Sequence, residues 1–177
     1  MSFKDFIKEQ NSRENKQKED NLKDVVSKFR DCIEELYSEI ENNWMHEYVE
    51  NGEMKISRKE ISITEEKLGE YQVNEMHIQI ANQEIVLRPR GTHMIGTDAR
   101  VDLVYLGIPR VQIVRVGENV DNPMQMITIV LNGEQVTKRR DTGVIVWKIV
   151  QDDSRRSLVK LTKQSLEDTI MKVMSNG

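Results

Sequence analysis

The chain has 177 residues, 37% of them hydrophobic and 32% charged, with a formal net charge of −4. That length suits one domain with an appendage. No apolar run approaches the ~20 residues a membrane-spanning helix needs, and the negative balance argues against generic affinity for nucleic acid. Cys32 is the only cysteine, so no intrachain disulfide can form, and beside nine methionines it suits a reducing compartment. The first stretch, MSFKDFIKEQNSRENKQKEDN, lacks the apolar core of a signal peptide. The expectation is a soluble, cytoplasmic protein.

Charge divides the chain. Residues 1–75 carry 12 Lys+Arg against 19 Asp+Glu, a net of −7, whereas residues 76–177 carry 14 against 11, a net of +3. Such asymmetry fits a surface for an anionic partner, or two halves that attract each other. A net of +3 is far from a strongly basic domain, which favours the second.

Phe3, Phe6 and Ile7 form a small apolar cluster at helical spacing, followed by KEQNSRENKQKEDN (8–21) without one aliphatic or aromatic side chain. Residues 1–21 therefore read as a polar arm with an apolar tip, either a solvated helix or a disordered segment. From Leu22 the pattern sharpens. Leu22, Val26, Phe29, Ile33, Leu36 and Ile40 recur at spacings of four, three, four, three and four, the seam of a heptad. The stripe broadens through Trp44, Met45, Tyr48 and Val49, and Asn51-Gly52 supplies a helix stop. The segment 22–51 is read as one long amphipathic helix, starting at about residue 20. Its stripe serves either packing on the chain's own sheet or a coiled-coil seam with a second copy.

After Gly52 the period changes to two, and residues 52–177 read as a sheet domain with a C-terminal helix. The strand candidates are MKIS with EISIT (60–64), MHIQI (76–80), EIVL (84–87), ARVDLVYL (99–106), RVQIVRV (110–116), MITIVL (126–131) and VIVWKIV (144–150), with SLVKL as a short last strand. Asn132-Gly133 is a hairpin signal. MITIVL and VIVWKIV are apolar on both faces, which predicts central positions in the sheet. Thr162 is the expected N-cap of a final helix that shows Leu166, Ile170 and Val173 on one face. Connections this short favour antiparallel pairing, so the fold class is α+β: a long N-terminal helix, an antiparallel sheet of six to eight strands and a short C-terminal helix.

The stretch RPRGTHMIGTDARVDL (88–103) invites three readings. Gly91 and Gly96 have the spacing of a phosphate-binding loop, but Thr97-Asp98 stand where Lys-Ser/Thr is required, and a strand follows instead of a helix. Asp98 and Asp102 fall on one side of the strand, with Arg100 between them, and are the only plausible metal ligands. Salt-bridged side chains on a solvated strand face explain them more simply. What remains is a loop joining two strands, longer than a minimal hairpin needs. His46, His77 and His93 share no metal-ligand spacing, Cys32 reads as a packing thiol, and no catalytic triad is visible. No cofactor and no metal is expected.

Three functions follow. The preferred one is a non-enzymatic interaction or regulatory accessory subunit. It self-assembles or docks on a protein partner through Phe3, Phe6, Ile7 and the stripe Leu22, Val26, Phe29, Ile33, Leu36 and Ile40. The alternative is contact with nucleic acid through Arg88, Arg90, Lys138, Arg139, Arg140, Arg155 and Arg156, although no aromatic residues are interleaved to stack bases. A metal-dependent hydrolase or nuclease built on Asp98 and Asp102 comes third.

Overall fold

A computed structural model describes residues 3–66, 68–92, 97, 99–121, 130–131, 134–135, 143–151 and 157–176. A long helix α1 (Phe3–Glu39) passes through a π-helical turn (Ile40–Trp44) into a short helix α2 (His46–Glu50). Nine strands follow: β1 (Met54–Glu65), β2 (Gly69–Ile80), β3 (Gln83–Gly91), β4 (Ala99–Tyr105), β5 (Ile108–Gly117), β6 (Val130–Leu131), β7 (Glu134–Gln135), β8 (Ile145–Val150) and β9 (Leu158–Lys160). Helix α3 (Lys163–Ser175) closes the chain. The architecture is α+β. Seven strands form an antiparallel sheet in the order β1-β2-β3-β4-β5-β8-β9, and both helices pack on one face.

Helix α1 has 37 residues, so at 1.5 Å per residue it is about 55 Å long. It starts at Phe3 rather than near residue 20, so the polar arm is its solvated first half. Only the second half has a reason to dock. Phe29, Cys32, Ile33, Leu36, Tyr37 and Ile40 repeat on one face and are buried. The broadening of the stripe after Ile40 has a physical cause. The Met45 N–H donates to the Ile40 carbonyl (2.8 Å), a five-residue step that inserts one residue into the turn. That insertion lets buried Met45 and half-buried Trp44 both reach the core. Gly52, at φ +74°, ends α2. Its N–H donates to the Val49 carbonyl, and that of Glu53 to Tyr48, the bond pair of a Schellman stop.

The sheet is a meander in which β1 to β5 pair in chain order, and β5 then pairs with β8 across residues 118–144. Two of its hairpins turn in two residues, Ala81-Asn82 and Leu106-Gly107, with Ala81 and Leu106 at positive φ. Cross-strand partners build a helix-facing ladder of Ile56/Ile78/Ile85/Tyr105 and Met76/Leu87/Leu103/Val111. On α3, the Thr162 hydroxyl accepts from the Ser165 N–H while Ser165 answers the Thr162 N–H, a capping box. Leu166 and Ile170 are buried on the same core.

Three strand expectations need correction. MKIS and EISIT are one continuous edge strand of twelve residues, and β2 begins at Gly69, well before MHIQI. The described end of MITIVL is not in the seven-stranded sheet. Its described residues, Val130 and Leu131, pair with Glu134 and Gln135 in a separate two-stranded ribbon, and its other residues lie outside the described part. Asn132-Gly133, the expected hairpin turn, lies outside the described residues. VIVWKIV has neighbours on both sides, β5 and β9, and its two-sided apolarity has a reason. Ile149 faces the helices, while Val150 meets Val114, Val116, Val120 and Leu158 in a second small core on the opposite face.

Candidate functional site

Three places carry the residues singled out by sequence. The first is the free half of α1. From Asp5 to Val25 the described side chains are exposed, apart from half-buried Glu9. Glu9–Arg13 (2.6 Å), Glu19–Lys23 (2.9 Å) and Asp24–Lys28 (2.7 Å) each place the acid one turn ahead of the base, the favourable orientation along a helix. Lys23 holds the Glu19 carboxyl below its usual range. Ile7, Leu22 and Val25 are exposed apolar residues on this stretch, at 42%, 37% and 41%. Ile7 and Val25 are eighteen residues apart, five turns at 3.6 per turn, so they lie on one line along the helix. The side chains of Phe3 and Phe6 lie outside the described part.

The rest of the stripe is already covered. Phe29, Ile33, Leu36 and Ile40 are buried against the chain's own sheet, and Val26 packs partly on the same core. Those four cannot also form a seam with a second copy while this fold persists. Polar clamps hold the docked half. Arg30 donates to the Gln72 carbonyl (2.7 Å), and Arg58 of β1 bridges Glu34 and Glu41 while lying over the Tyr37 ring. Tyr37 donates to the Leu87 carbonyl (2.6 Å) at the last paired position of the β2–β3 ladder. Burial pushes its hydroxyl pKa well above the usual value.

The second place is the sheet face opposite the helices. There Arg88 reaches Glu75 (2.6 Å), and Asp102 receives Arg100 (2.6 Å) and Arg90 (3.3 Å). His77 lies between Glu75 and Glu84, 3.0 Å from each. The carboxylates lie beneath and the guanidinium groups above: Glu75 and Asp102 are buried, whereas the Arg88 and Arg90 side chains are 40% and 49% exposed. The pairing of Arg100 with Asp102 was legible in the sequence, but the face is not simply solvated, because Asp102 is 1% exposed. Buried charge tolerates this only when paired and hydrogen-bonded. Arg88 and Arg90, expected as anion contacts, thus have carboxylates of their own. Lys138, Arg139, Arg140, Arg155 and Arg156 lie outside the described residues.

The third place is the glycine-bearing loop itself. Glu65, at the tip of the β1–β2 hairpin, accepts from the Thr92 N–H (2.9 Å), the Thr92 hydroxyl and the Tyr71 hydroxyl. Gly91 sits at φ +118°, and a Cβ there would stand 3.0 Å from the Glu65 carboxylate. The loop amide therefore does bind an oxyanion, the chain's own. Burial, then the bond to Glu65, raises the Tyr71 hydroxyl pKa. Asp98, Gly96 and His93 lie outside the described residues, so a metal pair of Asp98 with Asp102 has one described member, already held by two arginines. Among the described residues no group of three or more His, Cys, Asp or Glu could hold a metal ion, and no helix is long and apolar enough to cross a membrane.

Sequence reasoning missed Glu75 and Lys148. Lys148 is 4% exposed on β8 and donates to the carbonyls of Glu118 (2.8 Å) and Val120 (2.7 Å), tying down the loop after β5. Its place in an apolar run, VIVWKIV, was the available signal, since a lysine there must find partners. No protein-family model matches the chain, and no curated protein or solved structure matches it either.

Proposed function

We propose that this chain is a non-enzymatic accessory protein that assembles with a second copy of itself through the free half of α1. One observation carries the reading: about 35 Å of helix, Phe3 to Val25, leaves the sheet domain with apolar residues at both ends and none between. Isolated helices in water are marginal, and most helical stability comes from packing an apolar face. Antiparallel pairing of two arms meets that need. It sets Ile7 of one copy against Leu22 and Val25 of the other, twice, and crosses near residue 15. The polar middle pairs with itself at little electrostatic cost, because residues 1–25 hold six Lys+Arg and six Asp+Glu.

Light scattering coupled to size exclusion tests this at low and at high salt. A dimer at both salts, reduced to monomer by Ile7→Asp with Leu22→Asp while the thermal midpoint of the sheet domain stays put, is the expected result. Asn15→Cys should then cross-link two chains under mild oxidation, since Cys32 is buried. A strict monomer at both salts sinks self-assembly.

A further inference from the structure

Between α1 and the strand ends beyond Gly91 there is a cavity of about 330 Å³, lined by Val25, Lys28, Phe29 and Cys32 of the helix, by Thr92 and Thr97, and by Arg115 of β5. Arg115 is out of place for its strand. Val111, Ile113 and Arg115 alternate onto the helix-facing side, and the cross-strand neighbours of Arg115 are Ala99 and Trp147. The position belongs to the apolar ladder, yet it carries a half-buried guanidinium that makes no ion pair or side-chain hydrogen bond among the described residues. Beside it the Thr97 hydroxyl oxygen is buried without a hydrogen-bond partner, the only such side-chain atom among the described residues. A buried orphan donor and an uncompensated cation are each unfavourable, and a bound ligand is one of the recurring reasons they persist together.

We infer that this cavity binds the oxyanion end of a small molecule, a carboxylate or a phosphoryl group with a short apolar body. Arg115 offers a planar fork of N–H donors matched to such a group. Thr97 adds a hydroxyl, and Lys28 a second positive charge at the rim. The Phe29 ring and the Cys32 thiol supply an apolar wall. The nearby carboxylates each have a partner on the lining: Asp24 pairs with Lys28 (2.7 Å), and Glu65 accepts from Thr92 and Tyr71, which leaves Arg115 as the cation with no carboxylate among the described residues. Val25 borders this cavity and also stands in the proposed arm seam, so the two sites adjoin.

The test is a titration of the full chain followed by amide chemical shifts, with inorganic phosphate, butyrate and the uncharged amide butyramide as probes. Saturable shifts at Thr97 and Arg115 with phosphate or butyrate, and none with butyramide, are expected. Phosphate alone assigns a phosphoryl ligand; butyrate, with or without phosphate, admits a carboxylate. Arg115→Gln should weaken binding about tenfold or more, as loss of a charge-assisted contact does. Lys28→Gln, at an exposed helix position where folding is not at stake, should weaken it severalfold. No saturable shift with either anion overturns the inference, as does binding unchanged in both variants.

Discussion

Helix α1 is two helices in energetic terms. From Val26 to Glu39 it lies on the sheet, with Ile33 and Tyr37 fully buried and Arg58 clamping its flank. From Asp5 to Val25 its described apolar side chains, Ile7, Leu22 and Val25, are exposed, and local acid–base pairs in sequence order hold it. The backbone is continuous across the boundary, but the cause of helicity changes. The docked half is helical because leaving the helix would expose a core. The free half has no core beneath it; its charges pair one turn apart, and under the proposed assembly the arm of a second copy supplies the rest. Global unfolding should therefore report the docked half only, and local fraying the free half.

The strongest way to break that contrast is truncation on each side of it. Ile33→Ala should cost about 4 kcal/mol in urea unfolding, a cavity under the middle of the docked half, while Leu22→Ala should stay within about 0.5 kcal/mol. Equal effects would mean that the boundary is drawn in the wrong place. Proline comes next. Glu35→Pro, on the exposed side of the docked half, should destabilise the whole domain by about 3 kcal/mol. Lys16→Pro should reduce the helical circular dichroism signal and leave the unfolding midpoint unchanged.

Tyr37→Phe sharpens the picture through pH. Loss of its bond to Leu87 should cost about 1 kcal/mol near neutrality. Burial holds the folded hydroxyl well above its ordinary value of 10.0, so the unfolded chain loses that proton first. The contribution is complete below about pH 10 and fades as pH rises beyond it. The alkaline fall in stability should be shallower in Tyr37→Phe than in the parent; identical slopes would rule Tyr37 out as its source. The smallest effect belongs to the free half. Lys23 holds the Glu19 carboxyl below 4.5, so that pair persists above pH 4.5 and weakens as pH falls through the lowered value. Helical signal should drop on acidification with no change in the sheet's midpoint, and Glu19→Gln should remove part of that dependence.

Much of this molecule was legible because its signals are local. The heptad spacing from Leu22, the Asn51-Gly52 stop, the alternation after Gly52 and the Thr162 cap each act within one or two turns of chain, and each is realised. The missed features are those in which a residue's role depends on a distant one. Gly91 looked like half of a phosphate loop, yet its reason is the Glu65 carboxylate 26 positions earlier. Asp102 looked like a surface acid and Glu75 carried no signal, until the meander laid arginines across both. Arg115 reads as an ordinary strand cation, and only the pairing with Ala99 and Trp147 turns it toward the helix.

The sequence alone determined the class, the element order and the antiparallel meander, because periodicity, caps and short turns set backbone choices within a few residues. Only the tertiary structure decided which part of the apolar stripe is covered, which charges are buried in pairs and where, among the described residues, a cation is left unmatched. Burial and charge compensation are properties of what lies opposite a side chain, and that neighbour comes from elsewhere in the chain.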